Sequence, residues 1–255
     1  MEILEVWHHM DVSDMIKEEI GAMEAYEAHK KPGAKEQPPE DTEEVDDGLG
    51  GGHFTVGSKL RPTTFLDFAA RYKIPESRFR VDLSNFLSTA LPAGGVQLSE
   101  WIRYQPSDRI TPFQFLKINY ESLETWRVAT DYLRCNPHFF NFRRYDFVLF
   151  KTEASPVFAQ LQHLLICEVD GKKYVVAFVE SYKVMARRQR SDRDFGIIRL
   201  QKTGTEFILA HTIIRGALVA DSESAADEKL VVNAVDYNMF LRAKRDWPGY
   251  TDIKD

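Results

Sequence analysis

Residues 158–182, which read FAQLQHLLICEVDGKKYVVAFVESY, carry the clearest structural signal in this chain. Two segments rich in Val, Ile, Leu, Phe and Tyr, Phe158–Val169 and Tyr174–Tyr182, lie on either side of Asp170-Gly171. β-Branched and aromatic residues favour strands, and an Asp-Gly pair readily supplies the positive φ angles of a tight turn. These residues therefore predict an antiparallel β-hairpin.

Similar apolar segments continue on both sides of this hairpin. They are Tyr145–Phe150, Phe195–Leu200, Glu206–Ala220 and Lys229–Val235, and glycines punctuate them. Short strands at about 10-residue spacing, with no long helix between them, are typical of an antiparallel sheet rolled into a small barrel. Residues 145–245 are therefore predicted to form an antiparallel β-barrel domain.

Residues 61–144 are predicted to be mainly helical. Thr63-Thr64 precedes a first apolar stripe and Pro75 opens a second, both at the 3.6-residue spacing of a helix. A third helix is predicted from Leu123 to Arg134, after Ser122, with Trp126, Ala129 and Leu133 on its apolar side.

The remaining parts of the chain complete the predicted organisation. Residues 1–31 have an apolar stripe that predicts an amphipathic helix, and residues 32–60 are acidic, Gly-rich and poor in large apolar side chains, which predicts a disordered linker. Residues 246–255 are predicted to form a tail. The fold class expected from the sequence is α+β, with helical N-terminal and middle regions followed by a C-terminal antiparallel β-barrel.

The net charge of this chain belongs to one short segment. The 255 residues carry 33 Lys and Arg against 39 Asp and Glu, which gives −6. Residues 33–48 hold one Lys and seven acidic residues, and they account for the whole of that −6. The rest of the chain is neutral overall, so the acidic pI of about 5.7 does not argue against an anionic partner.

Cysteine content and hydropathy indicate an intracellular, soluble protein. Cys135 and Cys167 are too few for a disulfide framework and fit a reducing compartment. No stretch approaches the ~18 uninterrupted apolar residues of a membrane span. The acidic N-terminal sequence lacks the basic and apolar regions of a signal peptide.

The common catalytic motifs are missing from the sequence, and no catalytic residue, cofactor or metal site is predicted. There is no Gly-rich phosphate loop, no Gly-x-Ser-x-Gly elbow and no His-Glu-x-x-His helix. Cys135 and His138 would form only half of a zinc site or a nucleophile–base pair. The alternative that stays open is a metal-dependent nuclease using Asp192, Asp194 and Asp236.

The strongest local feature is a basic segment at residues 183–202, with a net charge of +5. Its seven cations, set against Asp192 and Asp194, are Lys183, Arg187, Arg188, Arg190, Arg193, Arg199 and Lys202. Arginine forks bind phosphates and carboxylates bidentately, so Arg187, Arg188, Arg190 and Arg193 are predicted to contact nucleic acid or another anionic partner. The alternatives are a solvated loop and a segment covered by the chain's own acidic linker.

Two aromatic residues are predicted to contact partners. Tyr182 flanks the basic segment and would offer an apolar or stacking surface. Trp7 lies in the N-terminal amphipathic helix, which would either bind a protein partner or pack onto the main body of the protein.

Four blocks of sequence resemble a known family. They are Ala129–Leu149, the stretch RRQRSDRDFGIIR at residues 187–199, Ile213–Leu218 and Val235–Arg242. In this order they resemble the C-terminal region of fungal transposase-related proteins of the Plavaka/CACTA-like group, over about residues 110–245. The resemblance implies descent from a transposition protein, without that protein's catalytic acids, which lie in an upstream domain. Asn238 stands where the resemblance leads us to expect an acid.

The order of strands in residues 145–245 is also similar to that of bromo-adjacent-homology domains, which are barrel-centred (SH3-like) modules that bind chromatin and other proteins. This resemblance concerns element order alone and is an analogy of fold. Together the two resemblances imply a non-enzymatic, transposase-derived module that binds chromatin protein or nucleic acid in the nucleus. A nuclease remnant and a relic without selected activity remain the alternatives.

Overall fold

The computed structural model describes residues 42–43, 53–139, 142–185, 198–222, 227–233 and 236–247 of the chain. Most of these residues lie in antiparallel strands. The strands are β1 (Thr42–Glu43), β2 (Phe54–Lys59), β3 (Thr63–Thr64), β4 (Arg109–Glu121), β5 (Val128–Phe139), β6 (Phe142–Tyr145), β7 (Phe147–Phe150), β8 (Val157–Val169), β9 (Lys172–Val184), β10 (Ile198–Leu209), β11 (Ile213–Ala217), β12 (Val219–Asp221) and β13 (Glu228–Val231). The helices are α1 (Phe65–Tyr72), α2 (Glu76–Ala93) and α3 (Tyr237–Asp246), and a 3₁₀ turn spans Ala210–Thr212.

The predicted fold class, a helical N-terminal and middle part followed by a separate barrel, is wrong. The middle of the chain contributes the long strands β4 and β5, and these belong to the same sheet as the C-terminal strands. That sheet is a single antiparallel structure that curls into a half-barrel. Its main path runs β1-β2-β4-β8-β9-β10-β13-β12.

The hairpin of β8 and β9 is the centre of the sheet and confirms the prediction for residues 158–182. The strands pair from Phe158–Tyr182 to Val169–Lys172. Asp170 and Gly171 form the turn with φ angles of 50° and 74°, as a two-residue turn with two positive φ angles requires.

The sheet branches at Asp146. β8 pairs with β7 along one half of its edge and with β4 along the other, so a gap opens between β7 and the β4–β5 pair. Asp146 spans this gap: its backbone N–H donates to the carbonyl of Arg134, its carboxylate accepts from the N–H of Arg134, and its carbonyl accepts from the N–H of Leu161. One residue therefore ties three strands together.

The curl of the sheet brings β11 against β4 and β5 without a ladder of backbone hydrogen bonds between them. Instead, the N–H of Gly216 donates to Oδ2 of Asp131 at 2.8 Å. A Cβ atom on Gly216 would lie 2.8 Å from Cδ2 of Leu133, so a larger residue here would force the Leu133 side chain to move. Inside the curl lies a buried apolar cluster that includes Leu116, Leu161 and Val179.

Helices cover the other face of the sheet. α1 and α2 pack Phe68, Phe79 and Leu83 onto a second cluster that contains Val176 and Leu209. α3 packs Met239 and Ala243 onto a third cluster, which includes Phe158, Ile198 and Leu200. The sheet is thus buried on both faces over much of its length.

The first two predicted helices are confirmed. Thr64 caps α1, because its Oγ1 accepts a hydrogen bond from the N–H of Asp67 at 3.1 Å. α2 begins at Glu76 after Pro75 and ends beside Gly94. Both helices bury the apolar side chains that predicted them.

The third predicted helix, Leu123–Arg134, is wrong. The Ser122 hydroxyl accepts from the N–H groups of Glu124 and Thr125, but the turn ends at Trp126, which has a φ of 57°. From residue 128 the chain is β5, where Leu133 is buried and Tyr132 is 47% exposed. The side chains therefore alternate with period two, and the apolar spacing that indicated a helix is coincidental.

Several predictions lie wholly or mainly outside the described residues. These are the helix at 1–31 with Trp7, most of the linker at 32–60 and most of the tail at 246–255. Eight residues of the predicted linker lie in strands instead: Thr42 and Glu43 form β1 and pair with Gly57 and Val56 of β2, which spans Phe54–Lys59. The prediction of a disordered linker is therefore wrong for these residues. Among the described residues, no helix is long and apolar enough to cross a membrane.

Candidate anion-binding site

The arginine-rich segment starts and ends at neighbouring strand ends. Arg187, Arg188, Arg190 and Arg193 lie in residues 186–197, outside the described residues. At the base of this segment, Val184 of β9 pairs with Leu200 of β10, and the N–H of Met185 donates to the carbonyl of Arg199 at 2.9 Å. The segment therefore connects two hydrogen-bonded strands at one end of the sheet.

Among the cations of residues 183–202 that the structure describes, Arg199 and Lys202 bind acidic side chains of the folded protein. Arg199 lies 3.6 Å from Glu228 and also donates to the hydroxyl of Ser222, and Lys202 lies 2.5 Å from Glu180. The other five cations, set against two aspartates, leave the segment with a net charge of +3. By formal charge, the part of the segment not bound in these two ion pairs is still positive.

Tyr182 lies inside the protein at the base of this segment. Its side chain is 3% exposed, its hydroxyl donates to Glu180 at 2.6 Å, and its ring lies 5.5 Å from that of Phe147. Burial is the main cause that raises the pKa of its phenol. In this position Tyr182 supports the strand ends from within the core, and its contact with a partner stays a prediction.

A second cationic feature, which the sequence did not reveal, is a pair of buried arginines, Arg215 and Arg242. Arg215 of β11 is 6% exposed and forks onto Asp236, with distances of 2.6 Å from Nη2 to Oδ2 and 3.1 Å from Nη1 to Oδ1. Its Nε lies 3.5 Å from Asp131, a carboxyl whose pKa burial raises. This guanidinium is therefore neutralised inside the fold.

Arg242 of α3 is also 6% exposed, but its partners are neutral. Its Nε donates to Oδ1 of Asn238 and its Nη2 to the carbonyl of Glu121, both at 3.0 Å. Among the described residues, no carboxylate lies within 4.0 Å of it. Burial first, and then the nearby charges of Arg245 and Arg215, lower the pKa of this guanidinium.

Asn238 and Tyr120 connect the two arginines. Oδ1 of Asn238 accepts from both guanidinium groups, and its Nδ2 donates to the hydroxyl of Ser122 at 2.9 Å. The ring of Tyr120 lies 4.8 Å from the guanidinium carbon of Arg215 and 5.9 Å from that of Arg242. The arrangement places two cations on one aromatic ring, as in a cation–π interaction.

A groove of about 900 Å³ lies beside this pair of arginines. Arg242 and Tyr120 line it together with residues from the ends of β4 and β7 and from the start of β11. Its charged and imidazole side chains are those of His53, Glu121, Lys151, Glu153, His211, Arg242 and Arg245.

The described residues assign Asp236 a structural role. Besides binding Arg215, it caps α3, because its Oδ1 accepts from the N–H of Met239 at 2.9 Å. Asp192 and Asp194, its predicted companions in a nuclease site, lie outside the described residues. Within the described ranges, no group of three or more His, Cys, Asp or Glu residues could hold a metal ion.

The two cysteines are unsuited to nucleophilic chemistry. Both are buried, and burial raises the pKa of each thiol to about 12. A nucleophilic cysteine needs a lowered pKa instead. The thiol of Cys135 donates to the carbonyl of Phe113, while His138 is exposed, so the structure does not pair these two residues.

The two residues that the sequence did not single out, Arg215 and Arg242, lie in blocks that were quoted for the transposase resemblance. Arg215 belongs to Ile213–Leu218, and Asp236, Asn238 and Arg242 belong to Val235–Arg242. The fold brings the two blocks together. The one local signal was the replacement of an expected acid by Asn238, which leaves Arg242 with a neutral partner.

Comparisons with models of protein families, with curated proteins and with solved structures find no match to this chain.

Proposed function

We propose that this protein is a non-enzymatic interaction module that binds the phosphate backbone of nucleic acid through Arg187, Arg188, Arg190 and Arg193. The observation that carries this proposal is the +3 charge that residues 183–202 retain after Arg199 and Lys202 have bound Glu228 and Glu180. Clustered arginines suit phosphates because each presents several donors in a planar fork.

The anchoring of the segment supports the same proposal. Both of its ends are held by strands of the central sheet, and Tyr182 is buried beneath them. A charged loop on a rigid base presents its side chains to a partner with less loss of conformational entropy than a free tail. Descent from transposase-related proteins and a nuclear location belong to the proposal and rest on the sequence resemblance.

The test is a titration of the full chain with a random-sequence DNA duplex and with single-stranded RNA, followed by fluorescence anisotropy at several salt concentrations. The triple variant Arg187→Ala/Arg188→Ala/Arg190→Ala should weaken binding at low salt by tenfold or more. It should also reduce the steepness of log K against log salt by up to about 3 for duplex DNA, because each lost phosphate contact removes about one unit.

A matched control variant distinguishes an effect of these arginines from an effect of the net charge of the protein. The variant Arg61→Ala/Arg103→Ala/Arg109→Ala removes the same number of exposed arginines elsewhere on the surface and should bind nearly as the original chain does. An equal loss of affinity in both triple variants, or no binding of the original chain to nucleic acid at low salt, would contradict the nucleic-acid proposal.

A chromatin protein is the second candidate partner, favoured by the resemblance of strand order to bromo-adjacent-homology domains. A panel of histone peptides tests it. Binding of a histone peptide that persists in the Arg187/Arg188/Arg190 variant, together with no binding of nucleic acid, would replace the first proposal by the second.

A further inference from the structure

The starting point is the difference between the two buried arginines. Moving a charged group out of water is costly unless it gains a counter-ion and hydrogen bonds. Arg215 has Asp236 and Asp131 as counter-ions. Arg242 is equally buried and has hydrogen bonds from Nε and Nη2, but only to neutral oxygens.

The surroundings of Arg242 increase this imbalance. Arg215 and Arg245 are among its nearest charges, and both disfavour its positive form. The acid beside it on the helix, Asp246, is engaged by both Nε and Nη2 of Arg245, at 2.7 and 3.1 Å. Asp246 favours the positive form of Arg242 from a distance, but its carboxylate is bound to Arg245, so the Arg242 guanidinium has no directly bound anion among the described residues.

Arg242 borders a groove with room for a ligand. The groove holds about 900 Å³, within the size range of small-molecule sites. Lys151 also lines the groove; it is exposed, and its backbone N–H donates to the carbonyl of Thr212 at 2.8 Å. The groove therefore combines a desolvated guanidinium with a hydrated ammonium group.

We propose that this groove binds a small anionic group, a phosphate or a carboxylate, with Arg242 as its buried partner and Lys151 and Arg245 at its rim. None of the described residues that line the groove belongs to residues 183–202, and the proposal does not depend on the function proposed for residues 186–197. The anion would supply the counter-charge that Arg242 lacks.

Two acidic residues of the groove provide a control variant for which tighter anion binding is expected. Glu121 and Glu153 also line it and both are exposed; Arg242 binds the backbone carbonyl of Glu121, but neither carboxylate lies within 4.0 Å of its guanidinium. Exposed carboxylates are screened by water and salt, so they oppose an incoming anion only weakly. Removal of Glu153 should therefore strengthen anion binding rather than weaken it.

The experiment is isothermal titration calorimetry of the full chain with inorganic phosphate and, in a second arm, with succinate, at an ionic strength held constant with sodium chloride. We expect saturable binding of at least one of the two anions, and the anion that binds more tightly shows whether the groove prefers a phosphate or a carboxylate. Lys151→Gln should weaken it by threefold or more, Glu153→Gln should strengthen it about twofold, and the exposed-lysine control Lys172→Gln should leave it unchanged.

Asn238→Asp is the decisive variant, because it keeps both arginines and gives Arg242 an internal carboxylate. It should weaken anion binding by tenfold or more while the melting temperature in the absence of anion is maintained or rises. Retained binding in Asn238→Asp would overturn the proposal, and so would the absence of saturable binding in the low-millimolar range. Loss of phosphate binding in the Arg187/Arg188/Arg190→Ala variant would also overturn it, since the site would then be the arginine segment.

Discussion

His163 on β8 is a partly buried histidine in an aromatic environment. Its ring lies 5.1 Å from that of Phe68, 4.4 Å from that of Tyr72 and 6.2 Å from that of Phe178. Desolvation lowers the pKa of its imidazole from 6.5 to about 4. The neutral form is therefore the one that fits the folded state, and the residue belongs to the core rather than to a metal or proton-transfer site.

This pKa predicts a dependence of stability on pH. Below pH 6.5 the unfolded chain binds a proton on His163 that the folded chain does not take up until about pH 4, so the free energy of unfolding falls as the pH is lowered through this window. The contribution of His163 between pH 7 and pH 5 is a loss of about 2 kcal/mol. Between pH 7 and pH 5, the free energy of unfolding measured with urea should fall by about 2 kcal/mol less in His163→Phe than in the original protein. Identical falls in the two proteins would contradict this assignment.

Gly216 gives a second prediction at the scale of single residues. In Gly216→Ala the new Cβ would lie 2.8 Å from Cδ2 of Leu133 and 3.2 Å from Oδ2 of Asp131, so both side chains must move and the hydrogen bond from residue 216 to Asp131 weakens. Overpacking of this kind costs about 1–3 kcal/mol. The control is Gly204→Ala, which meets nothing within 4 Å and has no positive φ. Thermal unfolding that shifts equally in the two variants would show that the close approach of β11 is unimportant.

The helices and strands that could be predicted from the sequence are those whose ends are determined by neighbouring residues, as at a helix cap or a tight turn. α1 has its cap at Thr64, and the β8–β9 hairpin has its turn at Asp170-Gly171. In β5 the local signals conflict. Ser122 resembles a helix cap, and its hydroxyl does cap a single turn. Pairing with β4 and burial of Leu133 in the core nevertheless make the twelve residues of β5 a strand.

The cap of α1 can be measured directly. Thr64→Ala removes the acceptor for the N–H of Asp67 and should lower the free energy of unfolding by about 1 kcal/mol. Thr64→Ser keeps the hydroxyl and should stay close to the original stability. The comparison is made by urea denaturation of both variants, and equal stability of the Ala and Ser variants would mean that the cap does not hold α1.

α3 shows why the candidate sites were only partly predictable. The arginine segment could be recognised because its charges are consecutive in the sequence. Arg215 and Arg242 are 27 residues apart and meet only because β11 and α3 both reach the end of β4 near Tyr120. No local pattern records such a meeting, since it depends on how the whole sheet curls.

At the scale of the whole molecule, side chains rather than a continuous hydrogen-bond ladder hold the curl of the sheet. Asp131 of β5 binds Gly216 of β11, and Arg215 of β11 binds Asp236 ahead of α3. The prediction of a barrel from strand spacing thus identified the curvature. It missed the branch at Asp146 and the share of the sheet supplied by the middle of the chain, because both depend on contacts between distant residues.

Opposite charges are concentrated in two distant parts of the chain, the acidic residues 33–48 and the basic residues 183–202. Residues 33–48 carry −6, and two of these residues form β1, which lies four strands from β9 in the sheet order. Four strand spacings amount to about 19 Å, more than twice the screening length of about 8 Å at physiological salt. Charges fixed on β1 and β9 at that separation hardly interact, so we expect the acidic run to affect the arginine segment only by direct contact.

We expect that it does, and that it competes with nucleic acid. Glu36→Gln/Glu40→Gln/Asp41→Asn should then strengthen DNA binding by severalfold in the anisotropy titration, because an intramolecular competitor is weakened. The control Glu100→Gln/Glu124→Gln/Glu168→Gln changes the net charge by the same amount at exposed positions of the folded body. If both variants gain affinity equally, the effect is one of net charge and the acidic run makes no contact. If neither gains, the arginine segment is open to its partner without competition.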